Sequence, residues 1–208
     1  MRLGPSHCRL ITSFRSYAFD FGETITLSKC NRMLPDIRDI HNTNLYLPIL
    51  TASSIVDTAG LFVWRYTSLP NAPINKWYDQ FGLSAYTADV LSIALGVVLT
   101  QIATTWIGGA WNPWFFCAMS VVIQMAHDLF FGNVIVPMIP KGHNTIMDLM
   151  KEYVKIKFPA GILIVDAIYM ISASLLTMTF ASLPISYSWF SLLWTIYITM
   201  YVLYTRPS

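Results

Sequence analysis

Four aspartates stand inside long apolar stretches of this sequence, where carboxyl groups are rare. The candidate residues are Asp57, Asp89, Asp128 and Asp166, together with Gln124 and His127. An ionised aspartate at the centre of a membrane-spanning helix costs about 2.5–3.5 kcal/mol, so such residues usually have a role. Carboxyl groups and an imidazole that converge in an apolar interior can relay protons, or replace the water shell of a cation with oxygen ligands. These six residues are therefore a candidate ion or ligand pathway.

The four aspartates also fall at similar depths, and we call them the acid layer. If the apolar stretches are helices rising about 1.5 Å per residue, Asp89 and Asp166 lie roughly 9 Å from one end of their helices, and Asp57 and Asp128 roughly 14–16 Å. All four then lie between one face of a bilayer and its midplane. The competing interpretation is structural, because a protonated aspartate can donate to a neighbouring helix and fix its register. The sequence leaves both interpretations open.

His127 and Asp128 are adjacent, so their side chains point about 100° apart on a helix and need partners from elsewhere. Gln124 lies one turn earlier and extends a polar stripe that we expect to face the interior of a bundle. The cysteines Cys8, Cys30 and Cys117 form no CxxC pair and indicate neither a zinc site nor a disulfide framework. The sequence predicts no metal and no cofactor.

The composition is that of a protein surrounded by lipid. Hydrophobic residues make up 55% of the 208 residues and charged residues 12%, with a mean hydropathy of +0.52, whereas soluble domains carry about 25% charged residues. No charged residue occurs between Val90 and His127 or between Ala167 and Thr205. Each run is about twice the roughly 20 residues that cross a bilayer, and each breaks near its middle. Two helical hairpins are expected, because lipid leaves the backbone of an open strand without partners.

The predicted fold is an all-α, polytopic transmembrane helical bundle with a short interfacial amphipathic helix. The predicted spans are 48–66, 83–107, 114–139, 160–182 and 186–205, a loop occupies 67–82, and the amphipathic helix covers 144–157. Because the first span carries Ser53, Ser54, Asp57 and Thr58 near its centre, four spans are the alternative to five. Residues 1–47 form a polar leader, either a disordered tail or a targeting segment, and 48–208 form the bundle.

The amphipathic helix follows from a repeating pattern of apolar residues. Thr145 and Asp148 fit a capping box at its start. The apolar positions at helical spacing are Ile146, Leu149, Met150, Tyr153 and Val154. Such a helix can lie in the membrane interface or pack on the ends of the bundle. The same loop holds Lys141, Lys151, Lys155 and Lys157, so the positive-inside rule places it on the cytoplasmic side.

Parts of the sequence resemble uncharacterised multi-pass membrane proteins of large nucleocytoplasmic DNA viruses that infect algae and protists. The resemblance is carried by the stretch from Trp77 to Leu91, the stretch from Gln124 to Asp128, and the following Pro140-Lys141-Gly142-His143-Asn144 and Asp148. The resemblance covers roughly residues 77–182. It implies a viral or host internal membrane, although the composition also suits an organelle membrane. The group has no known activity that the resemblance could imply for this chain.

Three functions remain compatible with the sequence. The first is a small membrane protein that conducts or binds a proton, cation or small ligand through the acid layer. The second is a structural or scaffolding protein of a virion or organelle membrane complex, and the third is an intramembrane enzyme acting on a lipid or sterol. No P-loop, GxSxG, HExxH or dinucleotide fingerprint is present, so no catalytic residue is predicted. The expected partners are the lipid bilayer and either further copies of the chain or a membrane complex; a net charge of +2 gives no reason to expect nucleic acid.

Overall fold

The computed structural model describes residues 34–67, 72–154 and 159–205, without the side chains at 72–73, 153–154 and 159–162. The regular structure of these residues is helical and includes no strand, which confirms the all-α bundle. The helices are α1 (Tyr46–Tyr66), α2 (Ala72–Phe81), α3 (Leu83–Ile107), α4 (Pro113–Phe130), α5 (Val136–Met138), α6 (Thr145–Val154), α7 (Pro159–Ala181) and α8 (Ile185–Leu203). A 3-10 turn (Thr43–Leu45) precedes α1, and a π-helical turn (Phe131–Ile135) joins α4 to α5.

Within the described ranges, four helical segments are long and apolar enough to cross a membrane by length and composition. They are Thr43–Tyr66, Leu83–Ile107, Pro113–Met138 and Leu163–Ala181. The first of them contains the polar residues that made this span uncertain, and all four of these side chains are buried inside the bundle. The chain therefore has the architecture of an integral membrane protein, with its polar residues turned inward.

Helix α8 runs parallel to α1 over the whole length of the bundle. Thr51 donates to the carbonyl of Ser188 near the start of both helices. Near their ends, Arg65 donates to the carbonyl of Leu203. Because α8 extends from one end of the bundle to the other, its course agrees with a fifth span. It is not one of the four described segments that are long and apolar enough to cross a membrane, so the fifth span stays a prediction.

The two ends of the bundle are distinguished by their connections. We call the end with residues 108–112 and 182–184 the turn end, and the end with α2 and α6 the loop end. The described part of the leader packs at the turn end, where Ile37 is fully buried and Trp111 Nε1 donates to the carbonyl of Leu34 at 2.8 Å. Helix α1 therefore begins at the turn end and reaches the loop end at Arg65.

The prediction of a loop at 67–82 is wrong for its second half, which forms α2. The apolar side chains of Ile74, Trp77, Tyr78 and Phe81 recur at helical spacing and pack on the loop end of the bundle. Gly82 then takes a positive φ of 51°, which glycine adopts without steric cost. This residue allows α3 to begin directly after α2.

Helix α6 packs on the bundle, which was one of its two predicted positions. Leu149 is buried in a cluster with Trp77 and Tyr78, and Ile146 and Met150 pack against that cluster. The predicted capping box is wrong, because Asn144 Oδ1 accepts from the amides of Ile146 and Met147. Asp148 instead accepts from the amide of Gly142. Residues 155–158 and the side chains of Tyr153 and Val154 lie outside the described residues.

Cysteine labelling tests whether the two ends of the bundle lie on opposite sides of a membrane. In a chain whose three cysteines are replaced by serine, we expect Lys141→Cys to react with an impermeant maleimide from the cytoplasmic side. Asp39→Cys is expected to react from the other side only, because both residues are exposed at opposite ends of the bundle. Labelling is measured in sealed vesicles of known orientation. If both cysteines reacted from the same side, the two ends of the bundle would not lie on opposite sides of the membrane, and α1 would not cross it.

Candidate functional site

The hydroxyl of Tyr78 lies between two of the four predicted aspartates. Its oxygen is 2.8 Å from Asp89 Oδ2 and 3.2 Å from Asp57 Oδ1. The two carboxyl groups therefore lie no more than about 6 Å apart, the sum of these two distances. Trp77 Nε1 also donates to Asp89 Oδ2 at 2.9 Å. Helix α2 thus supplies two donors to an acid pair formed by α1 and α3.

Tyr78 is a hydrogen-bond donor that does not ionise in this position. Burial, with Asp57 and Asp89 nearby, raises the pKa of the Tyr78 phenol well above its ordinary value. Because the phenol keeps its proton, it can donate one hydrogen bond and accept others. Its single hydrogen can therefore point fully at only one of the two carboxyl groups.

Helix α2 is held over this pair by a buried cation. The Arg65 side chain donates to Asp79 Oδ1 at 2.7 Å and to Asn75 Oδ1 at 3.2 Å, both on α2. An exposed ion pair between Lys76 and Glu152 joins α2 to α6. These contacts fix the position from which Trp77 and Tyr78 reach the acid layer.

The second acid pair is formed by Asp128 on α4 and Asp166 on α7. Gln124 Nε2 donates to Asp128 Oδ1 at 2.8 Å, and His127 Nδ1 lies 3.1 Å from the same oxygen. The carboxyl groups of Asp128 and Asp166 interact directly, although Asp128 Oδ2 is buried without a hydrogen bond of good geometry. The polar stripe predicted at 124, 127 and 128 thus meets an acid of the neighbouring helix.

The two acid pairs lie within electrostatic range of each other. Asp166 interacts with Asp89 as well as with Asp128. Tyr169, one turn along α7 from Asp166, interacts with Asp57, Asp89 and Asp166. Each of the six residues of the predicted pathway therefore has a hydrogen bond or an electrostatic interaction with another residue of this set.

Burial is graded across this region. The Asp57 side chain is almost inaccessible, at 1% exposure. The His127 and Asp128 side chains are 35% and 28% exposed. Asp57 is the most deeply buried of the four aspartates.

Close packing separates the acid layer from the turn end. A Cβ atom on Gly96 would lie 2.8 Å from Gln124 Oε1 and 2.8 Å from Met170 Cε, so a larger residue at this contact of α3, α4 and α7 would displace the ends of these two side chains. Beyond it, Val97, Phe116 and Met170 belong to an apolar cluster that also includes Ile37 of the leader. Apolar side chains thus predominate on this side of the layer, although Ser120 and Ser174 are buried in the same region.

Sequence reasoning missed the two aromatic donors of α2. Tryptophans of membrane proteins are frequent at the membrane interface, yet Trp77 is buried and bonded to Asp89. The available signal was the spacing of Trp77, Tyr78 and Phe81, which indicates a helix with one apolar face. It does not indicate that this face covers carboxyl groups.

Two further observations complete the description of the region. Within the described part of the chain, no group of three or more His, Cys, Asp or Glu side chains could hold a metal ion. No family model, curated protein or solved structure matches the chain. The resemblance to viral membrane proteins stays a prediction.

Proposed function

We propose that this membrane protein binds and exchanges protons through the acid layer. The position of Tyr78 carries the proposal. One phenolic hydrogen cannot fully satisfy both carboxyl groups within hydrogen-bonding distance, so both bonds are strongest when one of the carboxyl groups donates to the phenol oxygen. An ionised carboxylate only accepts, which means that the donating group is protonated. Tyr78 therefore favours a state in which Asp57 and Asp89 hold one proton between them.

The charge balance of the region supports the same conclusion. Arg38 forms an ion pair with Asp36, Arg65 with Asp79, and Lys76 with Glu152. None of these three carboxylates belongs to the acid layer. His127 is the basic side chain that contacts the layer. Since each ionised aspartate would cost about 2.5–3.5 kcal/mol at mid-membrane, bound protons are the available means of reducing the charge.

The arrangement also provides a route between the two carboxyl groups. If Asp57 is protonated and Asp89 is ionised, Asp57 can pass its proton to the Tyr78 oxygen while the phenolic hydrogen moves to Asp89. Asp57 then becomes a carboxylate, Asp89 becomes a carboxylic acid and Tyr78 is unchanged in charge. The 2.8 Å distance lies within the usual range of an O–H···O bond, and the 3.2 Å distance needs only a small approach of the two oxygens before the proton can move.

Infrared titration of the protein in lipid nanodiscs tests this proposal. At pH 7 we expect the carbonyl band of a protonated carboxyl group, and Asp57→Asn should remove part of it. Tyr78→Phe should keep the band but move it to higher frequency, because the carboxyl group loses its hydrogen-bond partner. Asp39→Asn, at an exposed site outside the bundle interior, is the control and should change nothing. A wild-type spectrum without this band would contradict the proposal.

A structural role is the second candidate, and the geometry of Asp89 favours it. This carboxyl group accepts from both Trp77 and Tyr78 and so attaches α2 to the bundle. In that case the acids stabilise the helix arrangement of a scaffolding protein without exchanging protons. Asp89→Asn would then lower the thermal stability of the protein, while the infrared band would not respond to pH between 5 and 8.

A further inference from the structure

Helix α8 carries most of its aromatic residues along one outward face, which we call the aromatic seam. Along the seam, steps of three and four residues alternate, as they do at the contact face of a coiled coil. The residues of the seam, each more than half exposed, are Tyr187, Phe190, Trp194, Tyr197, Tyr201 and Tyr204. The opposite face of α8 is occupied, because Thr199 bonds Thr58 of α1. The seam is therefore a face of α8 that the described residues leave uncovered.

The aromatic seam extends through the depth of the membrane if α1 crosses it. Helix α8 runs beside α1 and is bonded to it near both ends. Because α1 belongs to a segment that is long and apolar enough to cross, the two helices lie at the same depths. Trp194 is the middle residue of Ile185–Leu203, and Tyr197 lies six residues, or roughly 9 Å, from its end. The seam is thus surrounded by hydrocarbon or by protein rather than by water.

Two phenols of the seam form a pair with one hydrogen to spare. Tyr201 donates to Tyr197 with 3.1 Å between the oxygens, and among the described residues no recorded bond takes up the hydrogen of Tyr197. Helical side chains lean towards the N-terminus of their helix. Both hydroxyls therefore lean away from the nearer membrane surface and its headgroups. Since a hydroxyl without a partner in hydrocarbon is costly, the pair favours a neighbour that offers both an acceptor and a donor.

We infer that the aromatic seam binds the same seam of a second copy of this chain. All copies insert with the same orientation, so a two-fold axis along the membrane normal makes two α8 helices parallel, with identical residues at the same depth. Tyr197 of each copy then donates to the partner's Tyr201. Each of the four phenols donates one hydrogen bond and accepts one. The pair is complementary to itself, whereas a lipid chain at this depth offers neither donor nor acceptor.

The rings of the seam are arranged before the second copy binds. The ring of Tyr197 lies between those of Trp194 and Tyr201, with centroid distances of 5.9 Å and 5.1 Å. Rings that already pack on one another lose little freedom on association, which favours binding. The alternation of three and four residues is the pattern of two helices that cross at about 20°. This inference does not depend on the binding of protons.

Single-molecule photobleaching in lipid vesicles tests the dimer. The three cysteines are replaced by serine, one dye is attached at Lys141→Cys, and two bleaching steps per spot are expected after dilution of the protein with lipid. The double variant Tyr197→Phe, Tyr201→Phe keeps both rings. It should raise the dissociation constant about tenfold, because two hydrogen bonds between the copies are lost. The matched control, Tyr187→Phe with Tyr204→Phe, removes two hydroxyls at the ends of the same face and should dimerise as wild type.

Disulfide crosslinking locates the interface in a chain that keeps its tyrosines. In the same cysteine-free background, Phe190→Cys on the seam should form a crosslinked dimer on mild oxidation, whereas Leu91→Cys, exposed on α3, should not. Chains that stay monomeric at every ratio of protein to lipid would overturn the proposal and leave lipid, or a helix of another protein, as the cover of the seam. A dimer that crosslinks only through Leu91→Cys would overturn it too, as would one that the loss of the two central hydroxyls does not weaken.

Discussion

Asp128→Asn is expected to abolish the uptake of protons after a drop in pH while the protein stays folded and inserted. Asp128 is the member of the acid layer that α4 contributes. Its carboxyl group interacts with Gln124, His127 and Asp166. Asparagine has nearly the same shape and keeps the oxygen that accepts from Gln124, but it cannot carry a proton. We expect the initial rate of uptake to fall by a factor of about 100 or more, the usual contribution of a proton-transferring side chain.

The measurement that separates function from structure is made on the same variant. Proton uptake is followed with a pH-sensitive dye, and thermal unfolding is followed by the fluorescence of the tryptophans. A functional Asp128 predicts lost uptake with an unchanged unfolding temperature. A structural Asp128 predicts the opposite, a lower unfolding temperature in a protein whose uptake, relative to the folded fraction, is that of wild type. Asp39→Asn is the control for both measurements.

The long apolar helices could be predicted from the sequence because their boundaries are chemically marked. Helix α3 occupies 83–107 as predicted, between Gly82 and Gly108, which take positive φ angles of 51° and 71°. Helix α4 begins where Asn112 caps the amides of Trp114 and Phe115, one residue before the predicted start. Both boundaries depend on local backbone chemistry, which is readable from one sequence.

Helix α2 could not be predicted in the same way. It has ten residues and a polar face, and a helix of this length is marginal by propensity alone. Its stability comes from contacts with residues that are distant in sequence, such as Arg65 of α1 and Leu203 of α8. A single sequence indicates the apolar face of such a helix but does not identify the surface that it covers.

The common depth of the four aspartates could be predicted from the sequence, but their pairing could not. The depth of each aspartate follows from its place in a helix, so a common layer could be predicted by counting residues. The pairing of Asp57 with Asp89 through Tyr78 could not, because it depends on how α1, α2 and α3 pack. Burial of the four polar residues near the centre of α1 likewise depends on its neighbours α3, α7 and α8.

The buried ion pair between Arg65 and Asp79 leads to the second large effect, on stability. The Arg65 side chain is 1% exposed, whereas Asp79 is 59% exposed. Asp79→Asn would leave a buried guanidinium without its carboxylate, with Asn75 and the carbonyl of Leu203 as its remaining partners. Removing one partner of a buried pair costs about 3–5 kcal/mol. Because Asp79 is largely exposed and screened by solvent, we expect a loss on the order of 2 kcal/mol.

Glu152→Gln provides a matched control, since it breaks an ion pair of the same helix α2 in which both side chains are exposed. Exposed pairs contribute at most about 1 kcal/mol and are weakened by salt. We therefore expect Glu152→Gln to change the free energy of unfolding much less than Asp79→Asn does. The small effect of Glu152→Gln should disappear in 1 M salt. Equal losses in the two variants would contradict the burial of Arg65. If Asp79→Asn also detaches α2 from the bundle, Tyr78 loses its contact with the two carboxyl groups. The infrared band of the protonated carboxyl group should then change as it does in Tyr78→Phe.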